Sequence, residues 1–417
     1  MRASNPAPAG IVVGLDLGTT KTSAVIAEAA GNQVKVIGVG VSPSGGLRRG
    51  MVIDVEMTVQ AIRKALSEAE LMAGVQVQFV YASISGEHVT SRNSRGVVAV
   101  SGNGSEVTTV DRERVVDAAR AVSVEGGLQV LHVLPQEFSV DDRGGIRDPV
   151  GLAGVRLEAS VHLVTGAATS VQNITNSIAR AGYQVAEVVL APLASSYAVL
   201  DEDERDMGVC LIDIGGGTTD VALHLAGSIH HSRVIGLGGQ TVTNDVAIGL
   251  RTSWSQAERL KCACGVALAE RIERDDMLEV PGVAGRQAQA VPRRHLAEII
   301  EVRMEEILAL VRGDLHRLGP GGRPNSGIVL TGGGAQLEGL PELAERVFDL
   351  PVRLGQPRRL GGMADRVTHP PFATVLGLVL YGMADQHLGG GPEPADTQSS
   401  PRTPWWQSVR DWITDLS

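Results

Sequence analysis

The chain has 417 residues, 43% of them hydrophobic and 20% charged, with a formal net charge of −10. That is ordinary globular composition with room for about two to three domains, so disorder as the main state is excluded. The acidic balance, with no basic stripe, argues against nucleic-acid binding, and the three cysteines, Cys210, Cys262 and Cys264, form neither a disulfide framework nor a zinc-like set.

The N-terminal "MRASNPAPAG" lacks the basic region and apolar stretch of a signal peptide, which predicts no export. No run of about 18 apolar residues occurs, so no spanning helix is expected and any membrane contact is peripheral. The next segment, "IVVGLDLGTTKTSAVIAE", has a counterpart in "MGVCLIDIGGGTTDVALHLA". In each, an apolar run ends in Asp-apolar-Gly, Gly/Thr residues turn the chain, and apolar residues alternate again: Thr22, Ala24, Ile26 in one copy, Val221, Leu223, Leu225 in the other. The pattern is strand, tight turn, strand, and its repetition predicts two similar α/β halves facing each other across a cleft.

Between the copies, "DRERVVDAARAV" spaces Val115, Val116, Ala119 and Val122 as a helix face. "VRLEASVHLV" alternates, with Val155, Leu157, Ala159, Val161 and Leu163 on one side. Residues 85–164 therefore read as a small mixed α/β subdomain. "GAATSVQNITNSIARAG" reads as a helix ended by Gly182. In the second half, "GLGGQTVTNDVAIGL" is a Gly turn entering a helix and residues 251–318 are rich in helical periodicity. "SGIVLTGGGAQLEGLPELAERV" is an apolar strand, a triple-Gly turn and a helix. Residues 389–404 have the Gly, Pro and Ser composition of a linker.

Two Asp-Gly hairpins facing one cleft suit a triphosphate. Backbone N–H groups exposed in tight turns surround phosphate oxygens, Asp16 and Asp213 hold a hydrated Mg²⁺, and Lys21 adds a positive charge. Gly332, Gly333 and Gly334 let the backbone approach a ligand at a helix N-terminus, where a nucleoside sugar or α-phosphate fits. The absence of G-x-x-x-x-G-K-[ST] rules against a P-loop NTPase, and no G-x-G-x-x-G with a ribose-binding acid supports a dinucleotide site. Glu258 and Lys261 share a helix face and could reach a nucleoside. The bland alternative is a capping box of Ser255 with Glu258 beside a surface ion pair.

These motifs, "GLDLGTTK", "LIDIGGGTTD" and "LTGGGAQLEGL", resemble the phosphate and adenosine motifs of the actin, Hsp70 and sugar-kinase superfamily. "VLHVLPQEFSVDD", "IRDPVGLAGVRLEASVHLVTGA", "LASSYAVL", "GGQTVTNDVAIGLRT" and "LAEIIEVRMEEIL" narrow the likeness to the FtsA family of bacterial cell-division proteins, from Ile11 to Ala384. The resemblance implies an α/β, actin-like two-lobed ATPase fold with a relocated 1C subdomain, a flexible linker and a C-terminal amphipathic helix. It places the first lobe core at 1–84 and 165–206, subdomain 1C at 85–164, and the second lobe core at 207–236 and 325–388. Subdomain 2B takes 237–324, the linker 389–402 and the terminal helix 403–417.

By the same resemblance, Asp16, Gly18, Thr19, Thr20 and Lys21 form the first phosphate loop, and Asp213, Gly215, Gly216, Gly217 and Thr218 the second. Glu258 and Lys261 match the nucleoside-contacting pair and Gly332, Gly333 and Gly334 the adenosine loop. ATP and Mg²⁺ are the implied ligands, with at most weak ATPase activity and no catalytic residue assigned. Arg303 and Glu306 fall where family members bind the C-terminal peptide of the tubulin-like protein FtsZ, although spacing alone fits an exposed ion pair equally well.

Three of the four tryptophans lie in the last thirteen residues. As a helix, Trp405, Trp406, Val409, Trp412, Ile413 and Leu416 fall within an arc of about 120°. Thr403 is placed to cap it and Pro404 to start it. Tryptophan prefers the headgroup boundary, so an in-plane membrane helix is expected. Family tails are rich in Lys and Arg, whereas this one sets Arg410 against Asp411 and Asp415; aromatic burial must dominate its lipid contact. The expectation is an adaptor that polymerises on the inner face of the cytoplasmic membrane at the division site, holds FtsZ there and recruits later division proteins. The rivals are a small-molecule kinase or other ATPase on the same fold, and a pilus-assembly ATP-binding adaptor.

Overall fold

A computed structural model describes residues 10–30, 33–101, 106–121, 126–274, 276–283, 287–358 and 360–387. The linker and tryptophan-rich helix expected at 389–402 and 403–417 lie outside the described residues, as does Val122.

Two sheets repeat one plan. In the first, Ile11–Leu17, Lys21–Ala30 and Gln33–Pro43 form an antiparallel meander, and Phe79–Ile84 and then Gln184–Leu190 add in parallel beside Ile11–Leu17. In the second, Val209–Ile214, Thr219–Leu225 and Ser228–Ile235 form the meander, and Ile328–Thr331 and Val352–Leu354 add in parallel. The register makes the copies equivalent at the turns, with Asp16 opposite Ser23 and Asp213 opposite Asp220. The alternation expected in the second strand of the first copy is only half of the pattern. Ser23, Val25 and Ala27 are as buried as Thr22, Ala24 and Ile26, because helices Val55–Ala73 and Ala373–His387 cover both faces of the sheet.

Helix Val55–Ala73 is started by Asp54, whose carboxylate accepts from the Met57 N–H at 3.0 Å, and stopped by Gly74 at φ +70°. Its buried stripe of Val59, Ile62, Leu66 and Ala69 sits directly on Gly38 and Gly40 of the neighbouring strand, where any side chain would meet the helix backbone. Helix Ala168–Ala181 ends at Gly182, as its sequence predicts.

Helix Ala191–Val199 is buried all round except at Tyr197 and packs against Val209–Ile214 and Thr219–Leu225 of the other lobe. Helix Ala373–His387 packs on it and on Ile11–Leu17, with Gly377 against the Ala194 carbonyl. Strand Leu360–Gly362 joins the first sheet beside Gln33–Pro43. This corrects the expectation that 325–388 belongs to the second lobe: from residue 360 the chain packs with the first, and the two buried helices lie between the sheets.

The inserted subdomain is a four-stranded sheet ordered Val89–Ala99, Arg156–Ala167, Leu128–Val140, Arg143–Ile146, covered by helix Thr109–Arg120. Val115, Ala119, Leu157, Ala159, Val161 and Leu163 are buried as expected; Val155 precedes the strand and is 69% exposed. In the second lobe, helices Gly239–Gly249, Trp254–Cys264 and Arg293–Arg317 enclose Val242, Val246, Ile300, Met304, Ile307 and Val311. A short hairpin, Met277–Val280 with Gln289–Pro292, interrupts the helical region; strands of four residues are too short to give a readable period. Among the described residues no helix is long and apolar enough to cross a membrane.

Candidate functional site

The two Asp-led turns meet. A side chain on Gly216 would lie 2.5 Å from Thr20 Cγ2, and one on Gly217 2.5 Å from Thr19 Oγ1, so the glycines permit the loops to touch across the cleft. Asp213 is buried at the end of its strand, accepting from Ser195 Oγ at 2.6 Å and Thr374 Oγ1 at 3.1 Å. Those two hydroxyls come from the helices between the lobes. Asp16 accepts from Ser83 Oγ at 2.8 Å, and Ser83 in turn accepts from the Leu17 N–H at 2.9 Å.

Part of Asp16 touches solvent, yet the protein packed around it pushes its carboxyl up to about 6, against the opposing pull of Ser83 and Lys21. Burial likewise raises Asp213, opposed by Ser195, Thr374 and Lys21. Burial lowers Lys21 to about 8 although both aspartates favour its charge. The Lys21 ammonium stands 3.5 Å from the centroid of the Phe372 ring and has no hydrogen-bond partner among the described residues. A buried cation without an acceptor, close to the aspartates of both loops, suits a phosphate.

Lys261 and Glu258 lie at the N-terminus of helix Gly239–Gly249, beside the second loop. Lys261 Nζ donates to Glu258 Oε2 and Thr243 Oγ1, each at 2.8 Å, and to the Gly239 carbonyl at 3.0 Å. Burial raises the Glu258 carboxyl, but the bonds from Lys261 and Thr243 win and hold it below its usual range. Helix Trp254–Cys264 is capped by Ser253, not Ser255, which leaves Glu258 to Lys261 and Thr243. Gly332, at φ +83°, abuts Asp213 and Ile214, and Gly334 abuts Ile214, while Gly333 has open space where a side chain would stand. The triple-Gly turn enters a single 3₁₀ turn, Gly334–Gln336, rather than the α-helix expected; that helix starts only at Leu340, followed by Pro341.

Comparison with known proteins shows the family. The family model described as cell division protein FtsA matches residues 210–377, and that of the SHS2 domain inserted in FtsA matches residues 86–165. The cell division protein FtsA of Pseudomonas aeruginosa is 42% identical over 407 residues, covering 97% of both chains. That of Escherichia coli K12 is 41% identical, again over 97% of both. The chain belongs to the FtsA family of cell-division proteins.

Solved structures show the actin-like fold beyond that family. The PilM–PilN type IV pilus biogenesis complex gives a TM-score of 0.65 at 20% identity, covering 89% of this chain and 98% of that one. MreB5 of Spiroplasma citri bound to ADP gives 0.57 at 14%, covering 92% and 99%. In this FtsA-family chain, the cleft-facing residues thus come from both lobes and from the helices between them.

Arg303 and Glu306 lie away from the cleft, on helix Arg293–Arg317. Arg303 bonds Glu306 and also donates through Nε to Asp245 Oδ2 at 2.5 Å, so it ties its helix to Gly239–Gly249. Val302, Ile248 and Trp254, also on these second-lobe helices, are exposed at 69%, 68% and 47%.

Sequence reasoning missed Asp220. It is buried in the cleft, accepts from Ser85 Oγ at 2.6 Å and Thr218 Oγ1 at 2.9 Å, and is pushed up to about 7 by burial and then by Asp213. Its trace in the sequence is the Asp that follows the turn in "GGGTTD", just before the apolar Val221, Ala222 and Leu223. Ser83, Ser85, Ser195 and Thr374 were also missed; only the folded chain brings them to the loops.

Proposed function

We propose that this chain is an actin-like, ATP-binding division adaptor. The observation that carries the reading is the unpartnered Lys21 ammonium between two Asp-led loops, one from each lobe. In this reading the N–H groups of Gly18, Thr19 and Thr20 and of Gly216, Gly217 and Thr218 receive the phosphates, with Lys21 as counter-charge, while Gly215 closes the second turn by donating to the Thr218 carbonyl at 2.9 Å. Gly332, Gly333 and Gly334 line the adenosine, and Glu258 and Lys261 hold the nucleoside from the helix side.

Asp16 and Asp213 are suited to Mg²⁺ through water: among the described residues no cluster of three or more acidic, His or Cys side chains gathers to bind an ion unaided. The ion, when bound, neutralises phosphate charge, while the protein's own groups orient the nucleotide and exclude water. Ser195 and Thr374 hold Asp213, and Ser83 holds Asp16, so both carboxylates are fixed before ligand arrives. No catalytic residue is assigned, because the same groups serve a protein that hydrolyses ATP and one that merely holds it.

The family likeness extends the reading to the surface. Filament formation along the two-lobed body, FtsZ capture by the second small subdomain around Arg303 and Glu306, and later division proteins at the inserted subdomain complete the adaptor. Trp405, Trp406, Val409, Trp412, Ile413 and Leu416 then seat it on the inner face of the cytoplasmic membrane at the division site. Calorimetric titration with Mg-ATP tests the cleft: Lys21→Ala and Asp213→Asn are each expected to weaken binding by about tenfold or more. Wild-type affinity in both variants would sink the nucleotide assignment.

A further inference from the structure

Lys21 opens the strand Lys21–Ala30, and its buried ammonium lies within reach of the charges of Asp16 and Asp213, one from each phosphate loop. No hydrogen-bond acceptor meets it among the described residues. What meets it is an aromatic face: the nitrogen stands 3.5 Å from the centroid of the Phe372 ring.

Phe372 is carried by backbone tied to the second sheet on both sides of it. Pro370–Phe372 form one 3₁₀ turn, closed by the Phe372 N–H donating to the His369 carbonyl at 3.0 Å. Thr331 Oγ1, at the end of the strand before the triple-Gly turn, lies 3.1 Å from the Gly355 carbonyl and 3.4 Å from that of Pro370. Two residues beyond the ring, Thr374 Oγ1 donates to Asp213 at 3.1 Å. The half-buried ring itself packs on the main apolar core. Its position is thus set by groups other than Lys21, which comes from the first sheet.

A buried ammonium without an acceptor ordinarily gives up its proton. A carboxylate in contact would hold the charge but occupy the N–H groups. The face of an aromatic ring carries the negative part of its quadrupole, so it attracts a cation while offering no lone pair. An ammonium held that way keeps donors for a phosphate, and an arriving ligand displaces no acceptor from it. We infer that Phe372 is a positioning residue of the nucleotide cleft: its ring face holds the Lys21 ammonium charged, with donors unspent, where the phosphates arrive. The inference rests on the nucleotide reading above and adds to it the group that keeps the counter-charge in place.

The chain has four lysines, Lys21, Lys35, Lys64 and Lys261, so lysine isotope-labelled at Cε gives few signals, and Lys21→Ala identifies the one in the cleft. Its titration is followed by NMR in the ligand-free full chain, and Mg-ATP affinity by calorimetry from about pH 6.5 to about pH 9. In Phe372→Leu, which stays apolar but lacks the ring, Lys21 is expected to titrate about one pH unit lower than in wild type. Mg-ATP binding is then about tenfold weaker than wild type near pH 9 and within about twofold of it near pH 6.5, where Lys21 is charged in both proteins. Asp16, Asp213 and Asp220 also titrate in this cleft, but alike in both proteins, so the ratio reports Lys21. Phe372→Tyr, which keeps the ring, is expected to match wild type in both measurements. A deficit equal at both pH values, as lost packing alone gives, overturns the inference, and so does a Phe372→Tyr protein that behaves like Phe372→Leu. If wild type binds no Mg-ATP, the nucleotide reading fails by itself and the NMR titration decides. Lys21 titrating at the same pH in wild type and in Phe372→Leu then removes the role of the ring.

Discussion

Near neutral pH the cleft gathers ionisable groups whose charged forms burial opposes. Asp220 is raised from 3.8 to about 7, by burial first and by Asp213 second. The stability linked to a raised carboxyl is complete below its unfolded value and is lost as pH climbs through the folded one, here between about 4 and 7. Lys21, lowered from 10.5 to about 8, acts from the other side: its contribution is complete above 10.5 and is lost as pH falls through 8. Both therefore weigh on the ligand-free protein between pH 7 and 8. Asp220→Asn, which keeps an acceptor for Ser85, is expected to raise the melting temperature at pH 8, with the gain fading toward pH 4; a gain independent of pH would contradict this. Asp16, Asp213 and the loop glycines were legible because Asp-apolar-Gly recurs in two matched strands. Asp220 was not, since a single polar residue at a strand start looks like any residue turned to solvent. Its partner Ser85 comes from the other lobe, which no local pattern records.

Among the elements, close approach of backbones is set by glycine and can be tested against glycines that serve only a helix end. A side chain on Gly377 would overlap the Ala194 carbonyl in the neighbouring buried helix, whereas one on Gly74 meets nothing within 4 Å and only the φ of +70° resists it. Gly377→Ala should cost about 1–3 kcal/mol by overpacking and Gly74→Ala about 1 kcal/mol from backbone strain. Urea unfolding of the two variants checks the order; a larger loss at Gly74 would show that the helices between the lobes yield easily. Local signals sufficed for helix Ala168–Ala181 and for the strand Arg156–Ala167, whose periods are long and regular. They failed for Leu360–Gly362 and Ala373–His387, where the chain follows the second lobe in sequence but returns to the first in space. No local period records which sheet a strand joins.

At the scale of the whole molecule, the repeated five-strand plan, the two buried helices and the inserted sheet give an actin-like body of the FtsA family whose lobes are linked through Asp213, Ser195 and Thr374. In the proposed adaptor, a terminal segment with three tryptophans and one Arg against two Asp would attach to lipid through aromatic burial, so anionic lipid and salt are expected to change that attachment little. On the proposed filament many weak tails would bind with avidity, so attachment is expected to follow assembly. Flotation with liposomes in the presence of Mg-ATP, comparing the full chain with one ending at Gly391, each with and without FtsZ, tests the adaptor most directly. Only the full chain is expected to float, carrying FtsZ with it. Equal flotation of both chains, or of neither, would contradict it.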